Sequence, residues 1–257
     1  MLIDTHCHLT DQALLADQAA VVHRALAAGV QRMITIGTGP EDHRRVLQAV
    51  QSYPEVYGAI AVHPHLAGEI TPGFIDEMRP FFAQQPRLLA VGECGLDYHG
   101  RSADPAAQRP VFIQQLELAR KLKLPAILHV RDAHADALNI MADFTDVPHV
   151  VHCFTGTSEE AARWLAQGAY LGITGIVTYK NAQEVRAVAK LIPDDRLLVE
   201  TDCPYLSPEP VRKIKINEPA LVVHVAARLA AERSATPAHL QAVTTANARR
   251  LFGQQLE

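Results

Sequence analysis

The chain has 257 residues, of which 48% are hydrophobic and 20% are charged, with a formal net charge of −4 at pH 7. This composition supplies a sizeable core and argues against disorder. It leaves no overall basic surface, so a nucleic acid would have to be held by a local patch.

The sequence lacks the features typical of membrane, secreted and disulfide-rich proteins. No apolar run reaches the ~18 residues that span a bilayer, and no basic, apolar leader precedes Leu2. The four cysteines include no CxxC pair and are typical of reduced thiols. We therefore expect a cytoplasmic protein that does not enter a membrane, with a monomer favoured.

Apolar strand patterns alternate with helical patterns along the whole chain. In chain order, strands are predicted over residues 2–8, 32–36, 56–62, 88–91, 126–130, 149–151, 169–173 and 196–200. The helices predicted between and after them cover residues 11–29, 41–51, 71–84, 105–123, 134–144, 158–167 (capped by Ser158), 182–191, 218–232 and 236–252. Eight strand–helix units in 257 residues predict one (β/α)8 TIM barrel over residues 1–257, with its active site at the carboxyl ends of the strands. A doubly wound open sheet is the alternative.

Histidines and carboxylates follow the carboxyl ends of six of these strands. His6 and His8 lie two residues apart on one strand, so their imidazoles share a face. A closed barrel would bring them together with the candidates from other strands, which are His63, His65, Glu93, His129, His152 and Asp202. Each histidine alone could be a satisfied core residue, but such a convergence predicts a metal site.

Four histidines and two carboxylates suit two divalent cations, which could be Mg²⁺, Mn²⁺ or Zn²⁺. Glu93 is expected to bridge them with one oxygen facing each ion. His6, His8 and Asp202 would complete one ion, and His129 and His152 the other. Two such ions clamp a phosphoryl group and activate a water.

Each cysteine directly follows one of these candidate ligands. Neighbours on an extended strand face opposite ways. The thiols of Cys7, Cys94, Cys153 and Cys203 are therefore expected to point away from the ions.

With these residues assembled, the chain resembles the TatD family of metal-dependent deoxyribonucleases, part of a wider superfamily of metal-dependent hydrolases. The matching runs are Ile3-Asp4-Thr5-His6-Cys7-His8-Leu9, His63-Pro64-His65, Gly92-Glu93-Cys94-Gly95-Leu96-Asp97-Tyr98, His129-Val130-Arg131-Asp132-Ala133, His152-Cys153-Phe154-Thr155-Gly156, Glu200-Thr201-Asp202-Cys203-Pro204-Tyr205 and Asn217-Glu218-Pro219. After Pro208 the chain departs from the Gly-Lys-Arg run of many relatives, although residues 210–216 remain basic.

The resemblance implies a (β/α)8 fold and hydrolysis of DNA phosphodiester bonds, often from the 3′ end of a strand. It places metal ligands at His6, His8, Glu93, His129, His152 and Asp202. It implies that His63 and His65 lie near the substrate phosphate and that Asp202 also handles the proton of the attacking water. Glu93 and Asp202 are thus the expected catalytic residues.

Basic and aromatic residues near the expected mouth suit a phosphate polymer. Arg131, Lys180 and Arg212 follow strands five, seven and eight and are predicted to hold backbone phosphates, and Tyr205 is predicted to stack on a base. The expected substrate is single-stranded DNA or a 3′ end. Two alternatives stay open: an amidohydrolase or esterase acting on a small molecule, and a non-catalytic metal-binding scaffold.

Overall fold

Eight parallel strands follow one another around a barrel in the order of the chain in the computed structural model, which describes residues 1–100 and 104–256. The strands are β1 (Leu2–Cys7), β2 (Val30–Gly37), β3 (Val56–Ile60), β4 (Leu88–Asp97), β5 (Ala126–Arg131), β6 (His149–Val151), β7 (Tyr170–Ile173) and β8 (Leu197–Val199). The barrel closes just beyond β8, where the Asp202 amide donates to the His6 carbonyl at 2.9 Å and the His8 amide donates to the Cys203 carbonyl at 2.8 Å. The predicted (β/α)8 architecture is confirmed.

Helices connect the strands as the periodicity predicted, with local differences. They are α1 (Gln12–Leu15), α2 (Gln18–Ala27), α3 (Pro40–Ser52), α4 (Phe74–Gln84), α5 (Pro105–Leu122), α6 (His134–Met141), α7 (Ser158–Ala166), α8 (Gln183–Leu191), α9 (Val222–Glu232) and α10 (Pro237–Phe252). The single helix predicted over residues 11–29 is two helices, and Ala16 and Asp17 between them are not helical. The predicted cap of α7 was wrong: Thr157, not Ser158, is the N-cap, and it forms a capping box with Glu160.

The amino end of the barrel is filled by apolar side chains. Ile3, Ile34, Ile127 and Leu198 belong to one buried cluster in the interior. Phe252 near the end of α10 is part of the same cluster. The site is thereby left to the opposite, carboxyl end, as in other barrels of this kind. None of the helices within residues 1–100 and 104–256 has the length and apolarity needed to cross a membrane.

A buried carboxyl group joins the first and last strands. Asp4 is fully buried, and it accepts hydrogen bonds from the Thr201 amide at 2.9 Å and the Thr201 hydroxyl at 2.6 Å. Burial raises the pKa of Asp4 to about 8, against the lowering effect of these hydrogen bonds. The folded protein therefore keeps a proton that the unfolded chain releases near pH 3.8.

This difference predicts a loss of stability as the pH rises toward 8. Because the folded-state pKa is the higher one, the contribution of Asp4 is full below about pH 3.8, declines as the pH rises and is gone above about pH 8. Between pH 6 and 9 it should fall by about 2–3 kcal/mol. Asp4→Asn should remove this part of the pH dependence, as urea denaturation of the chelated wild type and variant at both values would measure. An equal pH dependence in both proteins would show that Asp4 keeps no such proton.

Candidate metal centre

The first strand presents two imidazoles to the mouth of the barrel. The Nε2 atoms of His6 and His8 lie 3.3 Å apart, as the strand alternation predicted. Cys7 between them points the other way and donates its thiol hydrogen to the Ile34 carbonyl at 3.3 Å. This end of β1 thus supplies two nitrogen donors aimed at one point.

Glu93 stands at the centre of the site with its two oxygens facing different histidines. It lies within the register irregularity between Gly92 and Cys94 in β4, and such a bulge changes the direction of a strand side chain. Its Oε2 lies 3.4 Å from His6 Nε2 and 4.0 Å from His8 Nε2. Its Oε1 lies 2.6 Å from His129 Nδ1 and 2.7 Å from His152 Nε2. The carboxylate therefore divides the donors into two groups.

The first donor group is completed by Asp202. Its Oδ1 lies 3.3 Å from His8 Nε2 and 3.7 Å from His6 Nε2. Asp202 has φ 56°, in the left-handed region that aspartate tolerates better than most residues. This backbone turn directly after β8 directs the carboxylate back over β1.

The second donor group contains one histidine more than the metal assignment expected. His63 Nε2 lies 3.6 Å from Glu93 Oε1, and His63, Glu93 and His129 can present one atom each within 4.8 Å of one another. His65 is placed differently, because its Nε2 lies 2.8 Å from Asp97 and its side chain is 46% exposed. The structure thus brings His63 to the donors and leaves His65 at the rim.

One glycine allows β4 and β5 to approach closely enough to form the site. Gly95 has φ 146°, and a Cβ there would lie 2.0 Å from the His129 carbonyl oxygen. A side chain at this position would push β5, and with it the imidazole of His129, away from Glu93.

Asp97 orients His129 and was given no role from the sequence. It accepts from His129 Nε2 at 3.0 Å and from His65 Nε2 at 2.8 Å. The Gln108 side chain fixes the backbone of Asp97: its amide oxygen accepts from the Asp97 N–H and its amide nitrogen donates to the Asp97 carbonyl, both at 2.8 Å. In the sequence, the only indication of this role was that Asp97 is a carboxylate at the end of the Gly-Glu-Cys-Gly-Leu-Asp run, two residues before a predicted loop.

The ionisation of the site is set by competition between burial and opposite charge. Burial would raise the pKa of Glu93, but His152, His129 and His6 together hold it well below its usual range. Burial would lower the pKa of His129 and His152, but nearby carboxylates, among them Glu93, raise both. Burial lowers the pKa of His63 to about 3. The carboxylates therefore favour protons on His129 and His152, where cations would bind, whereas burial favours the neutral form of His63.

These donors fit divalent metal ions. Neutral imidazole nitrogens and carboxylate oxygens bind zinc, manganese and iron, and metal binding displaces the protons that such ligands otherwise carry. Both ring nitrogens of His129 face carboxylate oxygens. A metal at Nδ1 would replace one proton while the Asp97 contact at Nε2 persists, which is the common arrangement of a metal-binding histidine.

All of the donors except His6 line a cavity of about 1050 Å³. Among the residues predicted to bind substrate, those lining it are His63, His65, Arg131 and Tyr205. Tyr205 is 55% exposed, and its hydroxyl donates to Asp11 at 3.1 Å. Lys180 and Arg212 are exposed but do not line the cavity, and Arg212 lies over the Tyr179 ring at 3.9 Å.

The predicted direction of the thiols is confirmed for three of the four cysteines. Cys7, Cys94 and Cys203 are fully buried members of the main apolar cluster. Cys153 differs because its φ of 44° breaks the strand alternation. Its Sγ lies 3.5 Å from the Thr174 hydroxyl, outside that cluster.

Comparison with known proteins finds relatives that match nearly the whole chain. The family model described as TatD related DNase matches residues 3–253. The chain is 38% identical over 254 residues to an uncharacterized metal-dependent hydrolase, YabD, of Bacillus subtilis, covering 98% of this chain and 99% of that protein. It is 39% identical over 257 residues to the 3′-5′ ssDNA/RNA exonuclease TatD of Cronobacter sakazakii, covering 98% and 97%. The crystal structure of YjjV, a TatD homologue from Escherichia coli, superposes with a TM-score of 0.92 at 30% identity, covering 98% and 97%.

Proposed function

The chain belongs to the TatD related DNase family of metal-dependent hydrolases, and on that premise we propose that it removes nucleotides from the 3′ end of single-stranded DNA with two bound metal ions. The observation that carries the proposal is the division of the Glu93 oxygens between two groups of histidines. Relatives named 3′-5′ ssDNA/RNA exonucleases support the choice of substrate and of direction.

The residues that would hold the ions follow from the two donor groups. His6, His8 and Asp202 would hold one ion, His129 and His152 the other, and Glu93 would bridge them. His63 is left to the substrate, because its Nε2 lies 3.6 Å from Glu93 Oε1, farther than the nitrogens of His129 and His152. When bound, the ions supply Lewis-acid activation of a water and neutralise charge on the phosphate. Asp202 would accept the proton of that water, because its carboxylate lies at the junction of the first group and the cavity.

The cavity supports a polymeric phosphate substrate. At about 1050 Å³ it lies just above the ~300–1,000 Å³ typical of small-molecule sites. Arg131 would grip phosphate oxygens and Tyr205 would stack on a base at the rim. His63 and His65 would meet the scissile phosphate, and Lys180 and Arg212 would hold the strand beyond the cavity.

Removal of the Arg131 guanidinium tests the substrate class. Arg131→Ala should weaken binding of single-stranded DNA by ~1–3 kcal/mol, the scale of a lost charge-assisted hydrogen bond. It should also flatten the dependence of log affinity on log salt by about one unit. Affinity measured at several salt concentrations, in Ca²⁺ to prevent turnover, gives both numbers.

A matched control is Arg79→Ala on α4. Arg79 is 52% exposed and lies outside the cavity lining, so its removal should leave the affinity and the slope unchanged. If Arg131→Ala behaves like this control and the wild type hydrolyses small amides or esters, the amidohydrolase alternative replaces the nuclease.

A further inference from the structure

Glu200 is a buried carboxylate directly after β8 that lies outside the cavity lining. It is 1% exposed. Its Oε1 accepts from the Cys153 amide at 2.6 Å, and its Oε2 accepts from the Thr5 hydroxyl at 3.4 Å. Oε1 also lies 3.5 Å from His152 Nδ1. Since Glu200 cannot reach a substrate in the cavity, any effect on the reaction must pass through these neighbours.

The neighbouring strand leaves room for this carboxylate. A Cβ at Gly172 in β7 would lie 2.4 Å from Glu200 Oε2, 2.7 Å from Oε1 and 2.7 Å from the carboxyl carbon. Only glycine lacks the Cβ that would displace the group. The Glu200 head group is thereby confined between β7 and the loop after β6.

One ring nitrogen of His152, Nδ1, is buried beside Glu200 without a hydrogen-bond partner among the described residues. The other, Nε2, faces Glu93 Oε1 at 2.7 Å, and the ring stacks on that of His6 with centroids 3.9 Å apart. A buried N–H without an acceptor is costly. A small movement of either side chain would bring Glu200 Oε1, now 3.5 Å away, within hydrogen-bond distance of Nδ1.

We infer that Glu200 is the positioning residue for His152, an inference that rests on the proposed metal centre. Its carboxylate accepts the proton of Nδ1 and so keeps the Nε2 lone pair directed at the ion beside Glu93. It also holds the amide of Cys153, whose φ of 44° turns the chain directly after the ligand. One buried group thus fixes both the ring and the backbone of one metal ligand.

The test is Glu200→Gln, which keeps the volume of the side chain and removes its charge. Loss of such a contact typically weakens metal affinity 10–100-fold. In a Mn²⁺ titration, the affinity should be weakened at only one of the two binding steps. In the Zn²⁺-loaded protein, the ¹⁵N resonance of His152 Nδ1 should move away from the position of a nitrogen that donates to a carboxylate. Both readouts are independent of hydrolysis.

The matched control is Glu232→Gln on α9, the same Glu-to-Gln change at a partly buried carboxylate that pairs with Lys190 and Arg228 and faces no histidine. It should leave both metal affinities and the His152 resonance as in the wild type. If Glu200→Gln does not fold, Gly172→Ala displaces the carboxylate without removing it and should produce the same weakened step. Wild-type affinities and an unmoved His152 resonance in these variants would overturn the positioning role, whereas a wild type that binds two ions and cleaves no DNA would overturn only the proposed function.

Discussion

Replacing Glu93 by Gln is expected to lower the rate of hydrolysis at least ~100-fold. The substitution keeps the volume but removes the charge that both donor groups share. An amide has one acceptor oxygen, so its NH₂ must face one of the two groups, either His6 and His8 or His129 and His152. The variant should therefore hold fewer than two ions.

The measurement is kcat on end-labelled single-stranded DNA together with bound metal per chain. Cys94→Ala is the matched control on the same strand, because that thiol is fully buried in the apolar cluster. It should keep its metal content and most of its activity. Near-normal activity of Glu93→Gln with full metal occupancy would rule out the bridging role.

Asp202→Asn is expected to reduce kcat by ~100–1,000-fold, within the range of general acid–base catalysis. Burial would raise the pKa of Asp202, but its hydrogen bond with His8 and the nearby histidine charges lower it, so the group is ionised at neutral pH. Asn retains one ligand oxygen and loses the ability to take a proton. KM should change much less than kcat, since Asp202 is assigned a role in the chemical step.

Steady-state kinetics with metal content measured on the same samples separate the two roles of Asp202. Loss of an ion without loss of kcat at saturating metal would make Asp202 only a ligand. Activity within a few-fold of the wild type would show that another group takes the proton.

The convergence of the candidate ligands could be predicted, because a closed barrel brings residues from separate strands together. His6, His129 and His152 each follow an apolar strand pattern, and the carboxyl ends of parallel strands in a closed barrel meet at one mouth. β4 was harder to delimit. The prediction ended it at Val91, whereas the strand continues to Asp97 because its polar run stays paired with β5.

The contacts that orient the ligands were not predictable in the same way. Asp97 contacts His129 and Glu200 lies beside His152, which are 32 and 48 positions away in the sequence. Which atoms meet depends on the register of neighbouring strands, and a shift of one residue would reverse the facing of each side chain. The break between α1 and α2 was missed because an apolar periodicity persists across it.

The central claim is that hydrolysis needs two ions gathered around Glu93. The most direct measurement adds Mn²⁺ stepwise to the chelated protein and follows bound metal and release of nucleotides from 3′-labelled single-stranded DNA in the same titration. We expect two bound ions per chain and activity that rises with the second. Full activity at one ion per chain, or two bound ions without cleavage of DNA, would contradict it.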